Sequence, residues 1–225
     1  MTAGPCRMDT WVREIELIAS SQSSDDKSQA EHQSLSDSED QVAHSAFWAP
    51  LLKRDSLANG YAVPERSTPV KLVSACAGCC AEAAAMKELG IPFQCLSMSE
   101  PVEAFRTFAR ANMPDAVVHL HETLREQVEG APCLNHPQKR RCDLQTQVDL
   151  LVAGTPCNPF SGQRHKRFKP GSVANHALTS HTYKELLALV RKTQPTNIIM
   201  EQSEGFGKPV ASGEAESPLD QFLVR

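Results

Sequence analysis

The feature that most constrains this chain is an alternation that begins at Val70. "VKLVSAC" (70–76) is a short β-rich run, and "AEAAAMKEL" (81–89) is rich in helix formers and ends at Gly90, a plausible C-cap. "FQCLSMS" (93–99) reads as a second strand and "PVEAFRTFARAN" (101–112) as a second helix with Pro101 near its first turn. "AVVHL" (116–120) makes a third strand, and residues 121–147 read as irregular. "VDLLVA" (148–153) reads as a fourth strand, apolar but for Asp149 near its start, as a strand covered on both faces must largely be. "SHTYKELLALVRK" (180–192) sets Tyr183, Leu186, Leu187 and Val190 on one helical face, and "NIIME" (197–201) is a fifth strand. Strand and helix alternating in this way predict an α/β fold with a doubly wound, mostly parallel, Rossmann-like sheet.

Open sheets of this kind bind ligands beyond the carboxyl ends of their strands. The residues just past each strand therefore carry the functional question. After the first strand comes "ACAGCCAEAAA", a small-residue turn opening a helix, where Cys76, Ala77 and Gly78 would let a ligand approach the backbone. With a single glycine it also fits an ordinary tight strand-to-helix turn. The second strand ends in Glu100. An acid at that place can accept hydrogen bonds from ribose hydroxyls of an adenosine-type cofactor, or simply sit solvated at a helix N-terminus.

The fourth strand runs into "GTPCNPFSGQRHKRF" (154–168). Pro156 and Pro159 bracket Cys157 and stiffen the loop, and Gly154 permits a close backbone turn. Thiolate nucleophiles need nearby cations or N–H donors, and Arg164, His165, Lys166, Arg167 and Lys169 follow directly. The same bases could track phosphates. Glu201 ends the fifth strand, which a parallel sheet would set beside the fourth, so Cys157 and Glu201 form a nucleophile and acid pair.

The rest of the composition sets limits. The chain has 225 residues, a net charge of -4 and eight cysteines, whose spacing suggests no disulfide framework and suits a reducing compartment. No basic segment followed by an apolar one marks a signal peptide, and no apolar run approaches the ~20 residues that span a bilayer. The chain reads as soluble, intracellular and without membrane partners. Residues 21–41 carry six acids against one lysine and almost no large apolar side chains, so they are expected to be disordered. "WVREIELIAS" (11–20) could form a short amphipathic helix. The expected organisation is a largely disordered, acidic, Ser-rich region over 1–69 and a catalytic core over 70–225. The acidic tail and the basic patch fit a nuclear protein.

"GTPCNPFSGQR" resembles the Pro-Cys catalytic loop of cytosine-5 DNA methyltransferases, usually Gly-x-Pro-Cys-Gln-x-Phe-Ser. "IIMEQSEGF" resembles their Glu-Asn-Val motif and "VSACAGCCAEAAA" their cofactor loop, in the same order and spacing. The resemblance covers roughly Val70 to Gly207. It implies that Cys157 adds to C6 of a flipped-out cytosine, that Glu201 contacts the N3 edge, and that C5 is methylated from S-adenosylmethionine. It further implies that Cys76, Ala77, Gly78, Glu100 and Pro156 line the cofactor site. Ser161 would help shape the catalytic loop, and Ser161, Arg164, Lys166 and Arg167 would meet nucleic acid.

The chain departs from that pattern. Cys76 stands for the aromatic that stacks on adenine, Ser74 for the leading acid, Cys80 and Ala81 for two loop glycines, Asn158 for Gln, and Gln202-Ser203 for Asn-Val. The family's Gln-x-Arg-x-Arg strand, target-recognition region and final helix motif, expected after Glu201, do not appear before Arg225, so the chain reads as the catalytic half alone. A partner or a further segment would then supply target recognition. The function expected is cytosine-5 methylation of DNA. The alternatives are cytosine-5 methylation of RNA and an inactive methyltransferase-like binding module.

"CLNHPQKRRC" (133–142) offers Cys133, His136 and Cys142, with a fourth donor to be borrowed from His119 or His121. The spacing matches no standard zinc knuckle, so an irregular loop and no metal are expected here. "QKRR" (138–141) reads as a solvated charge run.

Overall fold

In a computed structural model, the structure describes residues 48–61, 67–113, 116–210 and 215–224. The expected helix at 11–20 and the expected disorder over 21–41 lie outside these residues.

Five strands form one sheet: β1 (Val70–Ala75), β2 (Phe93–Ser99), β3 (Leu120–His121), β4 (Leu150–Ala153) and β5 (Asn197–Met200). Their order is β3-β2-β1-β4-β5, and every pairing is parallel. The chain winds outward from β1 to one side through β2 and β3. It then crosses back to lay β4 and β5 on the other side, so the winding direction switches between β1 and β4. This is the doubly wound sheet that the alternation predicts. The third strand is shorter than its apolar run. Val117 makes only an isolated bridge to Cys95, and the regular ladder with β2 is confined to Leu120 and His121.

Helices cover both faces. α1 (Trp48–Ala58) rests beside α2 (Ala81–Leu89), with Lys53 Nζ donating to the Glu88 carbonyl at 3.4 Å. α3 (Glu103–Asn112) follows β2, and α4 (Leu124–Glu129) follows β3. A π-helical turn (His181–Leu186) leads into α5 (Leu187–Thr193), and α6 (Pro218–Val224) closes the described chain. On one face Leu72, Cys95 and Met98 pack with Cys80 at the head of α2, with Ala83 and Met86 from α2 and with Ala109 from α3. On the other, Val73, Leu96 and Leu151 pack with Leu124 from α4 and with Leu186 and Leu189. A third cluster, Phe160, Val173 and Phe206, sits under the Pro-Cys loop.

Local chemistry explains the boundaries. Gly90 closes α2 at φ 69°, its N–H donating to the Lys87 and Met86 carbonyls. α4 opens on a capping box: Thr123 Oγ1 accepts from Glu126 N–H while the Glu126 carboxylate accepts from Thr123 N–H, both at 3.1 Å. This helix lies inside the stretch that reads as irregular. In β2 an extra residue, Leu96, breaks the register with β1. Leu96 joins the cluster under α4, and Ser97 Oγ also accepts there, from Gln127 at 3.1 Å. Of the face expected on the last long helix, Leu186 and Leu187 are buried, Val190 is half-buried, and Tyr183 instead joins the Phe160–Phe206 cluster.

β5 forms the edge of the sheet among the described residues, and its Ile198 and Ile199 are 42% and 57% exposed.

Candidate active site

The strand order places the β1 and β4 loops side by side where the winding direction switches, the crevice used by ligands in such sheets. The β1 loop is backbone-strained. Cys76, Gly78 and Cys80 all adopt left-handed conformations, at φ 54°, 54° and 57°. Two non-glycine residues at positive φ within five positions are uncommon, and such strain gathers at ligand sites. The loop is held by the end of β2: Ala77 N–H donates to the Ser99 carbonyl at 2.9 Å, and Cys76 N–H reaches Ser99 Oγ at 3.4 Å.

Glu100, 5% exposed, is fixed by two backbone donors. Gly78 N–H donates to one carboxylate oxygen at 2.7 Å and Val102 N–H to the other at 2.8 Å. A carboxylate offers about four acceptor positions, so this grip orients Glu100 and leaves capacity for hydroxyl donors. A Cβ built on Gly78 meets nothing within 4 Å, so space lies open above the loop. Cys80 turns its side chain into the core beside Ala83 and Cys95 and does not intrude on that space. Cys76 is half-buried. Burial, then the carboxylates of Glu100 and Glu185, push its thiol up to about 12, so it stays protonated at neutral pH.

The β4 loop begins against the β1 loop: Gly154 N–H donates to the Ala75 carbonyl at 3.1 Å, and a Cβ on Gly154 would stand 3.5 Å from the Cys76 carbonyl. Pro156 is half-buried, and Cys157 is exposed at the head of a tight turn. The Cys157 carbonyl accepts from Phe160 N–H and Ser161 N–H, both at 2.9 Å, which fixes where the residue stands. One strand over, Ala153 pairs with Met200, and Glu201 N–H continues the ladder by donating to the Ala153 carbonyl at 2.9 Å. Cys157 and Glu201 thus occupy neighbouring strand ends, and Glu201 is also exposed.

A buried network locks the two ends together. Thr155 is 2% exposed, and Gln202 Nε2 donates to its carbonyl at 2.7 Å and to its Oγ1 at 2.8 Å. Thr182 Oγ1, from the π-helical turn, donates to the same hydroxyl at 3.0 Å. Sequence reasoning missed Thr155 and Thr182 and noted Gln202 only as a departure from the family pattern. Beside Glu201, the buried Gln202 Oε1 and Ser203 Oγ meet no hydrogen-bond partner among the described residues. Gly205 was missed as well: a Cβ there would overlap the Phe160 carbonyl oxygen.

The expected nucleic-acid residues divide. Lys166, with His165 and Lys169, is exposed. Arg164 is half-buried, its guanidinium donating to the Pro159 carbonyl at 3.2 Å and to Ser172 Oγ at 2.8 Å. Ser161 is half-buried, its Oγ accepting from Gln163 N–H at 3.3 Å. Arg167 does not face solvent at all. It is 1% exposed, with Nε on the Phe160 carbonyl at 2.9 Å and Nη2 on the Gly205 carbonyl at 2.8 Å. The expectation that it meets a phosphate gives way to a brace between the Pro-Cys loop and the segment after β5. A separate cavity beside Tyr183, lined by Val173, His176, Val210 and Gln221, includes none of Glu100, Cys157 or Glu201.

Among the described residues no helix is long and apolar enough to cross a membrane. The model of the family described as C-5 cytosine-specific DNA methylase matches residues 70–222. No curated protein matches the chain. Among solved structures, Streptomyces venezuelae DesVI is similar at a TM-score of 0.33 and 14% identity, over 68% of this chain and 47% of that one. The chain thus spans about half the length of that structure.

Proposed function

The chain belongs to the C-5 cytosine-specific DNA methylase family, and on that premise we propose that it methylates C5 of cytosine in DNA from S-adenosylmethionine, with Cys157 as a transient covalent nucleophile. The observation that carries this reading is the meeting of three strand ends at one crevice: the Gly78–Glu100 cradle, exposed Cys157, and Glu201 on the adjoining strand.

The cradle fits the cofactor. Glu100 is oriented with acceptor capacity for ribose hydroxyls, Gly78 leaves room, and Cys80 points away. Cys76, Ala77 and Pro156 would complete the lining. When bound, S-adenosylmethionine supplies an electrophilic methyl group.

The chain's own residues account for the rest. The Cys157 thiolate pair forms a bond to C6 of a cytosine turned out of its stack, and the C5–C6 π electrons shift toward C5 and N3. Glu201, at the neighbouring strand end, meets the N3 edge and shares a proton there, stabilising the charge that collects. Once C5 is methylated, loss of its proton returns the electron pair to the C5–C6 bond and expels Cys157 as thiolate. Lys166 and Lys169, exposed beyond the loop, would track phosphates, with Arg164 and Ser161 shaping the surface between.

A duplex carrying 5-fluorocytosine tests this, because fluorine at C5 cannot leave as a proton and the adduct accumulates. With S-adenosylmethionine, intact mass should show a methylated protein–DNA adduct for the native chain and none for Cys157→Ala. Cofactor binding by calorimetry without any adduct would instead favour the non-catalytic binding module.

A further inference from the structure

Between α4 and β4 the chain runs from Gly130 to Asp149 without helix or strand. A stretch this long without secondary structure is uncommon in a compact domain and needs something to hold it. Its buried apolar residues are few: Leu144 and Val148 join the core. Leu134 N–H ties it to the edge of the sheet by donating to the Leu120 carbonyl at 2.7 Å, and Cys142 N–H closes the loop on its own start by donating to the Gly130 carbonyl at 3.0 Å.

At that edge four soft donors converge. His119 comes from the residue before β3, and Cys133, His136 and Cys142 come from the loop. One donor atom from each lies within 4.8 Å of every other. Cys133 Sγ stands 3.4 Å from His119 Nδ1 and 3.2 Å from His136 Nδ1. The two imidazoles meet edge to face at 5.0 Å, and both thiols are 2% exposed. Donors about 2.0–2.3 Å from a tetrahedral zinc ion stand about 3.3–3.8 Å from one another. The spacings at Cys133, 3.4 and 3.2 Å, lie near the short end of that range, and the 4.8 Å bound on the whole set leaves the other donors about 1 Å of closure onto an ion.

We propose that His119, Cys133, His136 and Cys142 form a structural zinc site that staples this loop to β3. Two thiolates and two imidazoles in tetrahedral arrangement select zinc over the hard, oxygen-seeking cations. Four protein donors close the coordination sphere, so the ion has a structural role. Binding forms two Zn–S and two Zn–N bonds and releases the two thiol protons to water. The exposed run Gln138–Arg141 lies between ligands His136 and Cys142, and the ion fixes where that basic turn stands. The sequence offers these donors but argues against the site, because His119, just before β3, lies 14 positions ahead of Cys133, outside any knuckle spacing.

The test uses the full chain, tag removed, purified under reductant without chelator and then desalted. Elemental analysis should find about one zinc per chain, retained in His165→Asn, whose histidine lies outside the cluster, and lost in Cys133→Ser combined with Cys142→Ser. Cobalt loading should give the visible d–d bands of a tetrahedral site and thiolate charge-transfer absorption in the near ultraviolet. His136→Cys should keep the metal and raise the charge-transfer intensity by about half, as two thiolates become three. That readout decides the matter even if the double-serine variant does not fold. Zinc well below stoichiometry overturns the proposal, as does zinc retained without the two cysteines or unchanged cobalt intensity in His136→Cys. A native mass two hydrogens light, marking a Cys133–Cys142 disulfide, overturns it too.

Discussion

Gln202, two residues beyond β5, holds Thr155 of the β4 loop through two hydrogen bonds from one amide nitrogen, at 2.7 and 2.8 Å. Because one acceptor is a carbonyl, which cannot donate, the nitrogen must be the atom facing it. The contact couples the strand end bearing Glu201 to the loop bearing Cys157, across 47 positions of sequence.

Gln202→Ala leaves the buried Thr155 carbonyl without this donor, at a cost of about 1–3 kcal/mol. Thermal unfolding should shift down by about 2–4 °C per kcal/mol. Adduct yield on the fluorinated duplex should fall further than this stability loss accounts for, because the thiol loses its register against Glu201. Thr155→Val, which keeps the carbonyl, should be milder.

Gly205→Ala drives a methyl group into the Phe160 carbonyl, and backbone cannot give way as a side-chain tip can. We expect a loss of about 1–3 kcal/mol together with a displaced Pro-Cys loop. Gly207→Ala, two residues on with nothing within 4 Å of its Cβ, should be nearly neutral in the same melting assay.

Arg167 and its neighbour Lys166 should separate cleanly. Arg167→Met strips donors from the Phe160 and Gly205 carbonyls and should cost at least about 3 kcal/mol, charged donors being worth about 1.5–3 kcal/mol each. Lys166→Ala with Lys169→Ala should leave melting within about 0.5 kcal/mol. The pair should instead weaken duplex binding and lower the slope of log affinity against log salt by about 1 per lost contact.

Glu100→Gln keeps the shape but turns one of the two acceptors facing Gly78 and Val102 N–H groups into a donor. S-adenosylmethionine affinity by calorimetry should drop about 10–100-fold, the equivalent of about 1.5–3 kcal/mol.

Alkylation reads the thiols directly. With its thiol at about 12, Cys76 holds about one thiolate in 10⁵ at pH 7. The sign follows: reactivity at Cys76 grows only as pH climbs toward that value. Brief iodoacetamide treatment near neutrality should therefore mark exposed Cys157 and spare Cys76, checked by peptide mass mapping. Labelling of Cys76 at neutral pH would contradict the burial described above.

How much of this was legible beforehand depended on range along the chain. The alternation of apolar runs and helix formers gave the parallel sheet because covered strands must be apolar on both faces, as "LLVA" (150–153) is. Gly90 was legible as a cap, and its left-handed φ realises that reading. α4 was not found, since six residues are too few to show periodicity, although Thr123 and Glu126 carried the capping-box spacing. Cys157 and Glu201 were legible as strand-end residues. Arg167 was not separable from the four other bases around it, because which member of a cationic run turns inward is decided by carbonyls 38 to 43 positions away. The Gln202–Thr155 pair is a long-range fact of the same kind, whereas His119 is legible as one of two candidate donors, and only the fold chooses it over His121.

β5 leaves its outer row of backbone donors and acceptors to solvent among the described residues, with Ile198 and Ile199 beside them. Such an edge templates further strands without regard to their source. For this protein, concentration is therefore a variable to control: sedimentation of dilute and concentrated samples reads whether the edge pairs, and an apparent mass that does not change with concentration means that it does not.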